Sequence, residues 1–495
     1  MEYKWTAFSV TALGSFMAGL DATVVLLALV PIAHDLGSDY VTILWVVLAY
    51  LLATTAFVLS FGRISDIYGR KRMYIVGFVI FTLGSLASGL APTGLVLVAA
   101  RVVQGIGAAF LFANGFAILS EAFPAAERGR AFGATSVIWG IASVAGIILG
   151  AVIVAFTTWR LIFLLNLPVG VFGTLWAYLA LRSSERGVGR GESFDLPAAV
   201  LFTLGLSSLL LGITGGLLYG WTAPGTLLGL AATPCLLAGF VAWERSVASQ
   251  PIIDFSFFRN RAFTLSVTAN LLRATAVFSV NFLLVFYLEG IYGLSILTAS
   301  YLIVPYAAAL AVVGPFGGIL SDRFGARRLS TIGLALQMIS LLALSRLTQT
   351  TSLPTLALIE MVFGVGGGMF WPANVSLTMS SSPRGRYGIG SGILNTFQNT
   401  GNVLSFAVSL VTITASISAP VVYSLFLGTF TGTLPAHAAS EYLMGQSQAL
   451  LISAALLFVA LVLVRLTPEA ASGTPRSTPG KGPQPARSPA ADGPD

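Results

Sequence analysis

Apolar stretches of roughly 20 residues recur from one end of this chain to the other. At ~1.5 Å per helical residue each is long enough to cross a hydrocarbon core. Hydrocarbon offers no water to backbone N–H and C=O groups, so such segments become helices that satisfy those groups internally. Only 9% of the residues are charged, against about 25% in soluble domains. The first run begins near Phe8. It is too long for a cleaved signal peptide, lacks a small-residue cleavage site and is interrupted by Asp21, so it is expected to stay as a span. The one cysteine, Cys235, lies inside an apolar run, which leaves no disulfide within the chain and suggests no thiol metal site.

The runs imply an all-α polytopic membrane protein with 14 transmembrane helices. They fall near 8–32, 41–61, 73–92, 94–120, 133–156, 161–181, 196–218, 224–243, 263–287, 299–317, 329–345, 354–378, 388–414 and 447–464. With the N-terminus in the cytoplasm, 22 Lys and Arg residues fall on the cytoplasmic side. Only Arg160 and Arg346 fall outside, while Arg101 and Arg273 lie within spans. This asymmetry places both termini inside, in a cell (inner or plasma) membrane. The net charge of +7 therefore reflects topology and not a nucleic-acid-binding face.

Two cytoplasmic loops repeat one pattern. Gly62-Arg63-Ile64-Ser65-Asp66-Ile67-Tyr68-Gly69-Arg70-Lys71-Arg72 is matched, 256 residues later, by Gly318 to Arg328, with Asp322 in the place of Asp66. Arg128-Gly129-Arg130 and Arg384-Gly385-Arg386 share that offset. The chain thus reads as two similar six-span halves around a midplane cavity, a transporter architecture. The surplus length matches one additional hairpin. The expected units are 1–183, an inserted pair of spans with linkers at 184–256, 257–466, and a Pro/Gly/Ser-rich disordered tail at 467–495.

At these residues the chain resembles the major facilitator superfamily, whose most specific motif is the loop G-x-x-x-D-x-x-G-R-K/R-R. More narrowly it resembles the 14-span drug:proton antiporter family. That likeness is carried by Leu20-Asp21-Ala22-Thr23-Val24-Val25, by Arg101-Val102-Val103-Gln104-Gly105-Ile106-Gly107, by the stretch from Trp159 to Gly170, and by Phe257-Phe258-Arg259-Asn260-Arg261-Ala262-Phe263. The match runs over roughly 8–466. It departs from the family in span 5, where Gly146-Ile147-Ile148-Leu149-Gly150-Ala151 lacks the proline and last glycine of the antiporter motif. Leu26 replaces an Asn, Pro31 falls one place late, and Ala113 stands where proline is common. The resemblance implies a major facilitator fold and proton-coupled export of small hydrophobic or cationic compounds, as in multidrug and antibiotic efflux. A second reading keeps the fold and assigns one specific metabolite, by symport or uniport. A receptor without flux is a third, opposed by the costly intramembrane groups.

Those groups are Asp21, Arg101 and Glu360. A carboxylate at the depth of Asp21 is expected to face the cavity, as a proton carrier or as a structural acid bonded to neighbouring helices. Arg101 is tied to proton transfer in the family; it tunes Asp21, or clamps helices through backbone carbonyls. Glu360 holds the place in span 12 that Arg101 holds in span 4. It reads as a second proton site, a cation site, or the ion-pair partner of Arg273 or Arg101. Asn395, Gln398, Asn399 and Asn402 share one face of span 13, and Asn270, Arg273 and Asn281 lie close to one face of span 9. Both stripes point inward, to line the cavity or to hydrogen-bond between helices. Glu289 is expected at a solvated mouth.

The loop residues Gly62, Asp66, Gly69, Arg70, Arg72 and Asp322 read as a cytoplasmic gate by resemblance, with the two glycines allowing tight turns and the basic residues setting topology. His34 and His437 have no metal-type partners nearby, and no Walker-type sequence is present, so no metal, cofactor or ATP is indicated. No nucleophile–base constellation suggests an enzyme. The expected partners are a small-molecule substrate, protons and the lipid bilayer, with no nucleic acid.

The charge count generates a direct test. Single cysteines placed at 219–223 and 430–440, in a Cys235→Ala background, should react with an impermeant thiol reagent added outside intact cells. Labelling only after membrane disruption would overturn the topology.

Overall fold

A computed structural model describes residues 2–124, 127–182, 195–246, 255–383, 387–417 and 433–468. The described residues form helices and no strands. The first six crossings are α1 (Tyr3–Leu36), α2 (Tyr40–Tyr68), α3 (Arg70–Gly89), α4 (Gly94–Ala122), α5 (Arg128–Phe156) and a broken crossing made of α6 (Arg160–Leu164) and α7 (Asn166–Ala180). Two helices follow, α8 (Leu196–Tyr219) and α9 (Pro224–Ser246). The last six crossings begin with a second broken one, α10 (Arg261–Val277) and α11 (Val280–Gly290). They continue as α12 (Ile296–Phe324), α13 (Ala326–Leu344), α14 (Leu353–Ser380), α15 (Tyr387–Ser416) and α16 (Ala436–Leu466).

Thirteen of these 14 crossings are long and apolar enough to span a bilayer on composition alone. The fourteenth, α15, has the length at 30 residues. Its amides at Asn395, Gln398, Asn399 and Asn402 lower its mean hydropathy. Large apolar side chains such as Leu83, Leu95, Phe172, Leu179 and Phe316 lie more than half exposed on the outer faces. That surface suits lipid and not water.

The two halves repeat one another in backbone detail. The positive-φ glycines Gly37 and Gly293, at 55° and 62°, stand 256 residues apart, as do Gly69 and Gly325, at 96° and 91°. A side chain at such φ values is strained, so the repeat keeps glycine there. Asp39 caps α2 by accepting from the Thr42 N–H, and Ser295 caps α12 through the Thr298 N–H. At the start of α3, Lys71 Nζ donates to the Leu181 carbonyl just past α7. At the start of α13, Arg327 donates to the Thr467 carbonyl just past α16.

In each half one helix is central: α4 packs on α2 and α3, and α14 packs on α12 and α13. Glycines let these helices approach. A Cβ on Gly107 would stand 2.3 Å from the Phe81 backbone nitrogen, and one on Gly366 would stand 2.7 Å from both the Gln337 side chain and the Gly333 carbonyl of α13. The halves meet mainly where α5 crosses α12 and where α15 lies against α2 and α4. Gly140 of α5 seats on the Ala311 backbone of α12, while Gly146 and Gly150 seat on α1. Gly133 of the same helix has open space beside it. The hairpin of α8 and α9 packs chiefly on itself, through Gly212 against Gly229, and α8 also touches α2 and α15.

Because backbone atoms, not a flexible side-chain tip, oppose Gly107, overpacking there should cost ~1–3 kcal/mol. Gly107→Ala is expected to lower the melting temperature in detergent, whereas Gly115→Ala, with nothing within 4 Å, should leave it unchanged or raise it. Equal behaviour of the two variants would contradict this packing.

Candidate functional site

A cavity of ≈ 240 Å³ lies at the middle of the helices, between the two halves. From α1 it takes Gly19, Ala22, Thr23 and Leu26, which recur at i, i+3, i+4 and i+7 and so share one face. From α4 and α5 come Phe112, Phe116, Trp139 and Ser143. The second half supplies Arg273, Asn281, Tyr306 and Trp371 among others, and α15 supplies Asn395, Gln398, Asn399 and Asn402. Six of the seven residues expected to line a cavity therefore do so. The exception is Asn270, which is fully buried away from it, its side-chain amide 3.5 Å from the Leu394 carbonyl.

Asp21 departs from expectation: it does not face the cavity. It sits about 150° round α1 from the lining face, at ~100° per residue, and is completely buried. Its carboxylate is saturated instead. Arg101 Nη1 donates to Oδ2 at 2.7 Å, and Gln104 and Asn166 donate to Oδ1 at 2.9 and 3.2 Å. Ser85 accepts from Gln104 and Asn166 and donates to the Phe163 carbonyl at 2.8 Å. Arg101 also donates from Nε to the Val46 carbonyl at 3.0 Å and lies over the Tyr50 ring at 4.3 Å. The cluster ties α1, α2, α3, α4, α6 and α7 together, and a fully satisfied polar network of this kind is rigid. Sequence reasoning missed Gln104, Asn166 and Ser85. Gln104 follows Arg101 by three residues, which puts both on one face of α4, and that was the available signal.

Glu360 is also completely buried, but neither carboxyl oxygen has a hydrogen-bond partner among the described residues. The expected ion pair with Arg101 or Arg273 is absent: Arg101 is taken by Asp21, and Arg273 donates from Nε to Gln337 at 2.9 Å and stacks over Phe370 at 5.0 Å. The alignment of Glu360 with Arg101 does fit the packing. A Cβ on Gly105 would meet the Tyr50 carbonyl, and one on Gly364 would meet the Tyr306 carbonyl.

The side chains of Asp66, Asp322, Arg128 and Arg130 lie outside the described residues. Gly62 is not in a loop, as the motif suggested; α2 continues helical through Tyr68, and the turn falls at Gly69 alone. Arg70 binds Glu121 at 2.8 Å, joining the start of α3 to the end of α4, while Arg72 is exposed. Glu289, at the C-terminal end of α11, is part-buried. His34 is exposed and His437 meets Glu441 at 3.0 Å. The described residues hold no cluster fit for a metal ion.

Residues 11–406 match the family model of the Major Facilitator Superfamily. The chain belongs to that superfamily. This transporter is 32% identical, over 94% of its length and 97% of the relative's, to the riboflavin transporter RibZ of Clostridioides difficile. It is 35% identical, over 80% of its length and 74% of the relative's, to the multidrug resistance protein Stp of Mycobacterium tuberculosis. The solved structure of XylE, a proton:xylose symporter of the superfamily, superposes with a TM-score of 0.63 over 94% of this chain and 96% of that one. At 15% identity this likeness speaks for the fold alone.

Breaking a buried ion pair by removing one partner costs ~3–5 kcal/mol, since the other charge stays buried. Arg101→Ala should therefore destabilise the transporter by about that amount, and Asp21→Asn combined with Arg101→Ala should recover part of it. A thermal double-mutant cycle in detergent reads the coupling. Additive losses would show that the two groups act independently.

Proposed function

We propose that this transporter is a proton-coupled exporter of small, largely apolar compounds, with cargo leaving the cytoplasm as protons enter. The observation that carries the reading is the placement of two features on one helix. One face of α1 lines the central cavity, and the opposite face holds the Asp21 carboxylate in its network with Arg101, Gln104 and Asn166. Protonation of Asp21 would remove the charge that holds Arg101 and loosen α1 from α4. A change at the network then reaches the cavity through the body of α1, with no need for proton and cargo to share a site. Glu360, buried and unpaired in the other half, is the second coupling group.

In this cycle 1–183 and 257–466 are the rocking bodies, 184–256 is an accessory hairpin, and 467–495 is a cytoplasmic tail, with both termini inside. The motif of Asp66 at the end of α2, Gly69 at the turn and Arg70 at the start of α3, with Asp322 in the repeat, latches the cytoplasmic side when the cavity faces out. The energy source is the proton gradient, not ATP.

One observation favours a second reading, transport of a single metabolite. A relative named as a riboflavin transporter matches along 97% of its own length. A panel of compounds separates the two: broad, weak export supports the first, and one narrow substrate the second.

Coupling is tested in vesicles loaded with a pH dye, wild type beside Asp21→Asn at matched protein amounts. The variant keeps the size and one accepting oxygen of the side chain, gives up the charge that faces Arg101, and releases no proton. It is expected to insert and to lose substrate-driven proton movement and accumulation against a gradient. Coupling equal to wild type would move the carrier elsewhere, with Glu360→Gln the next variant.

A further inference from the structure

The charge of the cavity differs from that of a site built for cations. Among the described residues its lining contains no Asp or Glu, and the one charged side chain is Arg273. Arg273 contrasts with the other intramembrane arginine. Arg101 is neutralised by Asp21 at 2.7 Å. Arg273 has one hydrogen bond, from Nε to the Gln337 side chain, and one ring, Phe370, beneath it. No ion pair with Arg273 exists among the described residues, and the buried acid of the same half, Glu360, does not reach it. A guanidinium held in hydrocarbon without a counter-charge is costly, and its remaining N–H donors are free beside the cavity.

The rest of the lining is aromatic and amide. Phe112 stacks on Trp139 at 5.7 Å and 18°, offering a flat wall from the first half. Trp371 and Phe278 line the cavity from the second. The side-chain oxygens of Asn281 and Gln398 have no hydrogen-bond partner among the described residues. Flat rings accept a planar molecule, unpaired amides suit polar edges, and a guanidinium pairs with a planar anion through two parallel N–H bonds.

We infer that the cavity takes aromatic organic anions, with the anionic group seated on Arg273, and discriminates against cations. This rests on the export reading and narrows it, setting aside the cationic compounds that the family resemblance implied. It also alters the electrical work of transport: each exported monoanion moves one more unit of charge than a neutral cargo at the same proton count.

The test uses one ring system with opposite charges, anthracene carboxylate and aminomethylanthracene, on the purified full-length protein. Binding is read from the anisotropy of the probe, and flux from vesicles. A charge-assisted hydrogen bond is worth ~10- to 100-fold in affinity, and wild type should prefer the carboxylate by about that factor. Arg273→Gln should abolish the preference by weakening the carboxylate alone. Arg273→Lys, which keeps the charge and guards against misfolding of the first variant, should retain most of it. Equal affinity for the two probes, preference for the ammonium, or a preference unchanged in Arg273→Gln would overturn the inference. Proton-coupled export of the ammonium probe with an inert carboxylate would do so while leaving the export reading intact. Arg273-dependent carboxylate binding without flux of either probe supports the inference and counts against export.

Discussion

Hydrocarbon supplies no hydrogen bonds, and that single fact organises this molecule. Most backbone groups are answered within their own helices, and buried polar side chains are drawn to partners or to a hollow, with Glu360 an exception among the described residues. The strongest product is the cluster around Asp21 and Arg101. Two opposite charges at 2.7 Å, with Gln104, Asn166 and Ser85 around them, hold most of the first half in one arrangement. A cluster like this lowers the cost of burying charge only while it is complete. On the proposed cycle it is therefore the place where one proton would change the mutual fit of several helices.

The same constraint decided what could be read from the sequence. Span number and fold class were legible because apolar length is a one-dimensional property. The inward face of α15 was legible because four amides at i, i+3, i+4 and i+7 mark one side of an otherwise apolar helix. The orientation of Asp21 was not. Around it α1 has too few polar residues, Ser15 and Thr23, to mark a face, so periodicity gives no inward direction, and the acid was expected at the cavity because cavities are the usual refuge for buried charge. The alternative refuge, a network inside one half, requires Ser85, Gln104 and Asn166 from three other helices, and no local pattern links them. The ion-pair alternative for Glu360 was not met for a related reason: a sequence offers opposite charges but not the distance between them. Gly62 was misjudged because a loop motif does not show where its helix stops.

Close packing made the repeat visible twice. In sequence it is an offset of 256 between two loops; in structure it is paired left-handed glycines, paired caps, and two basic side chains that tie the start of one helix to the end of another. Backbone requirements of this kind tolerate no side chain, whereas cavity residues are under no such restraint. The scaffold is accordingly symmetric where helices touch and asymmetric where they enclose space.

That asymmetry extends to charge. The position 256 residues after Asp21 is Val277, and the counterpart of Arg273 in the first half is Met17. Arg101 corresponds to Glu360. The first half thus contains a compensated pair turned away from the cavity, and the second, among the described residues, a cation without an ion pair at the cavity and an acid without a hydrogen-bond partner. On the proposed cycle this divides the labour. The first half stores and releases a proton without meeting the cargo, and the second meets the cargo with a charge it cannot itself neutralise. A cavity shared by halves that are alike in backbone and unlike in charge responds differently to proton and cargo, which a strictly symmetric pair of bundles would not do.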